Sequence, residues 1–224
     1  MGKFKILYED NHIIVVEKKP NIPSQSDKTG DVDMLTLVKD YIKEKYKKPG
    51  NVYLGLVHRL DRPVGGIMIF AKTSKAASRL SNQVREKIFK KKYLAVVDGK
   101  FEKNQGTLED YLYKDERHNM SKVVKKEKKN SKLAKLDYKV LKYNQVKDLS
   151  LVEINLHTGR HHQIRVQLSN FGHSIFGDQK YGTRGKGKQI ALWAYELTII
   201  HPVTKEELTF KDLPEPIGTW CILK

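Results

Sequence analysis

The chain has a single cysteine, Cys221, in 224 residues. No intramolecular disulfide can form, so packing must hold the fold, as suits a reducing compartment. No uninterrupted apolar run approaches the length of a bilayer crossing. The N-terminus, MGKFKILYED, lacks the apolar core and small-residue cleavage site of a signal peptide. A soluble, cytoplasmic protein that does not engage a membrane is the expectation. Acidic residues are also in short supply: 26 Asp plus Glu face 43 Lys plus Arg, a net charge of +17. Self-repulsion on that scale costs stability unless a polyanion lies close by. Nucleic acid is the first candidate partner, because Lys and Arg that neutralise phosphates drive sequence-independent binding, and an anionic membrane surface is the second. Missing as well are a glycine-rich phosphate cradle and a G-x-S-x-G elbow. Gly182, Gly185 and Gly187 in YGTRGKGKQ neither follow a strand nor open a helix.

What is present alternates between apolar strands and a few helices. FKILY and IIVVE, parted by Glu9-Asp10-Asn11, read as a hairpin, and NIPSQSDKTGD as an exposed loop. Asp33 caps a helix to about Tyr46, with Leu35, Val38, Ile42 and Tyr46 on one face, and Pro49-Gly50 stops it. Thr73-Ser74 caps a second helix to about Ile88, with Ala76, Ala77, Leu80 and Val84 inward. Tyr93 to Val97 reads as a central strand, and residues 101 to 150 as antiparallel strands. The segment 122–132 carries six lysines and reads as a solvated hairpin or, alternatively, a phosphate-contacting arm. A further strand, LSLVEINL, leads to a helix expected from Arg160, opening at Thr158-Gly159, with Ile164, Leu168 and Phe171 on one face and Gly172 as its stop. Its start, with Arg160 beside it, suits an anion. Residues 190–200 form a long strand, followed by a short one from Glu207. Too few helices accompany the strands for parallel βαβ winding. The expected class is α+β: a single domain over 1–224, with a large mixed, mostly antiparallel β-sheet flanked by helices and loops.

The stretch 51–73, NVYLGLVHRLDRPVGGIMIFAKT, places His58-Arg59-Leu60-Asp61 on a polar turn ahead of a buried strand. Loops of this kind present reactive groups to a cleft. On spacing alone, an Arg and an Asp two apart read as a solvated ion pair. The tetrapeptide is also similar to a kinase catalytic loop, but the glycine loop, strand lysine and Asp-Phe-Gly that accompany it are absent. His157, His161 and His162 cluster in sequence without a cysteine or glutamate set, and no metal site is expected.

HRLDRPVGGIMIFAKTSKAASRLS resembles the signature of the RluA-type pseudouridine synthases, and four further blocks agree in order. ILYEDNHIIVVEKKPNIPSQS resembles that family's opening hairpin and KKKYLAVVDG its tyrosine-bearing strand. GRHHQIRVQLSNFGHSIFGDQKYG resembles its GRTHQIR segment and IALWAYELTIIHPVT its late strand. The resemblance implies isomerisation of uridine to pseudouridine in structured ribosomal or transfer RNA, with neither cofactor nor metal, by a monomer. It makes Asp61 the nucleophile and places Tyr93 against the target ring, where it assists loss of the C5 proton. Arg165 pairs with Asp61, rather than Arg59 doing so, and Leu192 lines the pocket. His58, Arg59, Leu60, Arg160 and Gln163 contact substrate, and Arg62 fills the gap left by an extruded base. Three departures point to a subfamily with its own substrate: Val64-Gly65-Gly66 for Thr-Ser-Gly, His161 for Thr, and Trp193-Ala194 for His-Ala. The expectation from this resemblance is a chain that begins at the catalytic hairpin without an S4-like module, with RNA binding carried by its basic surface. The rival reading is an RNA-binding protein of this fold without catalysis, against which the retention of Asp61, Tyr93 and Arg165 speaks.

Overall fold

The computed structural model describes residues 4–224. In chain order the elements are β1 (Ile6–Glu9), β2 (Ile13–Lys18), α1 (Met34–Lys45), β3 (Gly55–Leu56), β4 (Gly65–Ala71), α2 (Ser74–Arg85), β5 (Lys90–Asp98), β6 (Gln105–Asp115), β7 (Met120–Val124), β8 (Lys132–Asn144), β9 (Leu149–Leu156), α3 (Gln163–Asn170), β10 (Leu192–Ile200) and β11 (Glu207–Lys211). They fall into two compact units. One comprises the chain up to Phe89 with Ala194–Leu213, the other Lys90–Trp193 with Pro214–Lys224.

In the first unit the strand order is β1-β2-β4-β10, with β11 beside β10 and β3 beside β4. Ile13, Ile14, Val15 and Val16 are all buried, as is every residue of β4, so both strands are covered on both faces and read as unbroken apolar runs. The carboxylate of Asp10 shapes the β1–β2 turn by accepting the N–H groups of His12 and Ile13, each at 2.7 Å. The antiparallel register runs from Ile13 opposite Ala71 to Lys18 opposite Gly66, which delivers Lys18 to the foot of the loop before β4. Gly66 has φ +119°, and a Cβ there would lie 2.3 Å from the Ala194 carbonyl oxygen. Only glycine lets these backbones approach so closely.

Both helices of this unit begin at the expected caps, with Asp33 accepting from Thr36 N–H and Thr73 from Ala76 N–H. Their buried faces differ from expectation by one step. In α1 the inward set is Met34, Leu37, Val38 and Ile42, with Leu35 half-buried and Tyr46 exposed. In α2 the helix stops at Arg85, not Ile88, because Lys87 turns left-handed at φ 61°. Val84 is exposed and Gln83 is buried instead, its amide bonded to both the carbonyl (2.6 Å) and the N–H (2.9 Å) of Ile200. A polar residue occupies a core position there because a strand end offers it both partners.

The second unit contains β5-β9-β8-β6-β7, each neighbouring pair antiparallel. The strands read between 101 and 150 are present, with β8 covering KLAKLDYKVLKYN as expected. The helix expected from Arg160 opens later, at Gln163. His162 precedes it at φ 53° without a side-chain cap bond. The preceding turn is held elsewhere: Thr158 Oγ1 accepts the Lys135 N–H at 2.9 Å, and Gln163 Oε1 accepts the Arg160 N–H at 3.0 Å. Gln163 through Leu168 are all buried, so α3 is a core helix rather than an amphipathic one, and Phe171 is exposed at its C-cap. The α+β class and the predominance of antiparallel pairing match the sequence-based expectation.

Candidate active site

The ten residues expected at the site divide evenly between the units: His58, Arg59, Leu60, Asp61 and Arg62 in the first, Tyr93, Arg160, Gln163, Arg165 and Leu192 in the second. The first five occupy one loop between β3 and β4. Leu60 is its anchor. The side chain is buried, and its backbone makes a reciprocal pair with Ser24, whose hydroxyl accepts the Leu60 N–H (3.1 Å) and donates to the Leu60 carbonyl (2.7 Å). Asp61, next in line, is half-buried and starts a turn closed by Val64 N–H to its carbonyl at 2.9 Å.

Beneath that turn lies Lys18, with 0% of its surface exposed. Its ammonium donates to the carbonyls of Val64 (2.6 Å), Arg62 (2.9 Å) and Lys19 (3.2 Å). Burial pushes this lysine down to about 7 against the opposing attraction of the Asp61 carboxylate, and the nearby Arg62 cation adds to the lowering. With Asn21 N–H also on the Arg62 carbonyl at 2.8 Å, the backbone around Asp61 is held from below at several points. Such fixing sets the position of a side chain carried on a loop.

The neighbours of Asp61 have defined tasks. His58 Nε2 accepts the Ile69 N–H at 3.2 Å, which leaves its proton on Nδ1, and its ring lies 5.3 Å from that of Phe89. Arg59 is exposed and forms no ion pair among the described residues, so the Arg59–Asp61 pair that spacing suggested does not form. Arg62 reaches away to the loop 27–31, donating to Thr29 Oγ1 at 3.0 Å and pairing with Asp31.

In the second unit, Tyr93 is buried on β5 opposite Ile154 of β9, and Leu192 is buried at the first position of β10. Arg165, 4% exposed, forms a two-pronged ion pair with Asp178: Nε to Oδ2 and Nη2 to Oδ1, both 2.7 Å. Burial raises the Asp178 carboxyl, but Arg165 and the N–H groups of Lys180 and Tyr181 outweigh it and hold it below the usual range. The guanidinium also sits 5.2 Å from the Tyr181 ring centroid. Tyr181 Oη accepts the Ser121 N–H (2.7 Å) and lies in hydrogen-bond contact with His162 Nδ1 at 2.8 Å. Gln163 is a brace, with Oε1 taking Thr158 Oγ1 at 2.7 Å and Nε2 donating to the Lys135 carbonyl at 3.1 Å. Arg160 Nε donates to the Leu133 carbonyl at 2.9 Å rather than sitting at a helix start, as α3 begins three residues later.

Sequence reading missed four of these residues. Lys18 carries no signal of its own, because nothing in Lys18-Lys19-Pro20 distinguishes the buried lysine from its neighbour. Ser24 lies in the stretch that reads as an exposed loop, and Tyr181 opens the glycine-rich YGTRGKGKQ. Asp178 stands as an acid inside the glycine-punctuated GDQKYG of a basic segment, which does not mark it as a partner of Arg165. Among the described residues no group of three His, Cys, Asp or Glu is placed to hold a metal ion, and no helix is long and apolar enough to cross a membrane.

Comparison with known proteins bears on this arrangement. The family described as RNA pseudouridylate synthase matches residues 12–170. An uncharacterized RNA pseudouridine synthase of Bacillus subtilis, YhcT, is 34% identical over 218 residues, covering 96% of this chain and 70% of its own. Ribosomal large subunit pseudouridine synthase D of Nitrosomonas europaea is 31% identical over 228 residues, covering 96% of this chain and 63% of its own. In fold, the chain is similar to human RNA pseudouridylate synthase domain containing 4, with a TM-score of 0.78 at 23% identity over 94% of this chain and 89% of that one. The chain belongs to the RNA pseudouridylate synthase family, in its RluA-type branch, and is an isomerase acting on RNA.

Proposed function

We propose that the protein converts specific uridines of structured ribosomal or transfer RNA to pseudouridine, with Asp61 as the nucleophile. The observation that carries this is the fixing of Asp61 on a turn held from below by buried Lys18 and clamped by Ser24. The target base leaves the stack, and Asp61 attacks the nucleoside so that the C1′–N1 bond breaks. The freed base turns, C5 bonds to C1′, the C5 proton departs and N1 is protonated. Atoms balance without oxidant, cofactor or metal. Arg165 serves as the cationic partner of Asp61, since an opposite charge within about 4 to 6 Å keeps a carboxylate in its ionised, nucleophilic form. Tyr93 stacks on the ring and assists removal of the C5 proton, and Leu192 lines the apolar side. His58, Arg59, Leu60, Arg160 and Gln163 shape the RNA-facing surroundings. Arg62, on leaving Asp31, fills the space of the extruded base.

This assignment treats 1–224 as one catalytic domain, working as a cytoplasmic monomer. The likeness to a ribosomal large subunit synthase favours ribosomal RNA. Mapping pseudouridine across ribosomal and transfer RNA of a deletion strain, complemented with wild type or Asp61→Ala, tests the proposal. One or more sites should be lost on deletion, restored by wild type and not by the variant. Restoration by Asp61→Ala would overturn the role of Asp61.

A further inference from the structure

The segment joining β7 to β8 presents the densest positive charge in the chain. Between residues 122 and 132 stand six lysines and one acid, Glu127, and residues 125–130 are exposed without exception. Some lysines of the first unit meet carboxylates: Lys5 pairs with Asp212 at 2.6 Å, and Lys45 and Lys72 each reach Glu9 at 2.7 Å. In the arm, Lys122 reaches Asp115 at 3.4 Å, whereas Lys125, Lys126, Lys128, Lys129 and Lys132 form no ion pair among the described residues. Uncompensated charge at this density is held together only at a cost in self-repulsion.

The tip is nevertheless a shaped turn. Lys128 N–H meets the Lys125 carbonyl at 3.1 Å, Ser131 N–H the Lys128 carbonyl at 3.0 Å, and Ser131 Oγ the Lys126 carbonyl at 3.2 Å. Asn130 takes the left-handed conformation at φ 65°, and Lys128 Nζ lies 5.3 Å from the Tyr113 ring centroid on β6. The foot of the arm is bonded to the segment that leads into α3. Arg160 donates to Leu133, the residue after Lys132, while Thr158 and Gln163 are tied to Lys135. Lysines at the tip and Arg160 at the foot therefore belong to one basic track within the second unit.

We propose that the β7–β8 arm is a phosphate-binding surface that holds the RNA backbone flanking the target uridine, with Arg160 at its foot. The inference rests on the isomerase reading for its choice of polyanion. Contacts of this kind position a substrate without reading its sequence, and each neutralised phosphate releases counter-ions.

The test uses the full chain and an unmodified transfer RNA transcript as the probe, with binding measured from 50 to 200 mM salt. One variant carries Lys125→Gln, Lys126→Gln, Lys128→Gln and Lys129→Gln. A control of equal charge change carries Lys43→Gln, Lys47→Gln, Lys48→Gln and Lys75→Gln, all exposed positions in the first unit. Circular dichroism verifies that both are folded. The arm variant should lose about 3 from the log–log salt slope, which makes its Kd about 60-fold less sensitive to that fourfold change in salt, and the control should lose less than about 1. Equal losses in the two variants, or none in either, would overturn the arm. So would loss of binding to phosphatidylserine vesicles with RNA binding intact, which would assign the arm to a membrane surface. If wild type isomerises no uridine in any transcript while the slope difference persists, the arm stands and the isomerase reading falls.

Discussion

Replacing Lys18 by methionine removes the most deeply buried cation of the first unit while keeping most of its volume, and the consequence is set by proton linkage. The native pKa is lowered from 10.5 to about 7. Below pH 7 both native and unfolded chains carry the proton, and the full penalty of burying the charge, about 5 kcal/mol for a shift of this size, weighs on the fold. As pH rises through 7 the native chain releases the proton while the unfolded chain keeps it up to 10.5. The unfolded state then binds more protons, and stability rises by about 1.4 kcal/mol per pH unit. A neutral amine retains two N–H donors, enough for its shortest bonds, to Val64 and Arg62. K18M cannot titrate at this position. The difference in unfolding free energy, wild type minus K18M, should therefore be flat below about pH 6 and gain about 2.5 kcal/mol between pH 6 and 9. Urea denaturation of both proteins across pH 5.5 to 9.5 measures it, and contributions from groups that do not interact with Lys18 cancel in the difference. Parallel pH profiles would refute the account of Lys18 as a buried lysine that titrates near neutrality.

Three further outcomes are expected. Asp178→Asn leaves the buried Arg165 guanidinium facing an amide, and should cost about 3 to 5 kcal/mol in urea denaturation with loss of isomerisation; an unchanged midpoint would contradict the pairing. Gly66→Ala forces a Cβ against the Ala194 backbone at a left-handed φ, so destabilisation on the order of 3 kcal/mol or more is expected. Gly50→Ala, at φ +75° with open space around it, should cost only about 1 to 2 kcal/mol; similar losses at the two glycines would remove the steric argument.

Elements whose signals are local were legible in the sequence. Apolar runs marked β2, β4, β5 and β9, and Asp33 and Thr73 announced their helices, because a cap and a period of 3.6 act within a few residues. Legibility failed where tertiary partners decide. Gln83 displaced Val84 from the core because Ile200, 117 residues away, supplied an acceptor and a donor. The start of α3 moved to Gln163 because Thr158 and Arg160 found partners on β8 and on Gln163 itself. Asp61 was found through the resemblance of five ordered blocks, since an Arg and an Asp two apart carry no such signal. Its supports, Lys18 and Ser24, and the Asp178 partner of Arg165, are defined by burial, which composition and spacing do not express.

The central claim, that Asp61 performs the chemistry, is tested most directly by releasing the hydrogen that isomerisation must displace. Ribosomal RNA transcripts labelled with tritium at C5 of uridine, incubated with purified protein, should release tritium with wild type and none above background with Asp61→Asn at equal RNA binding. Tritium release by Asp61→Asn at the wild-type rate would contradict the account.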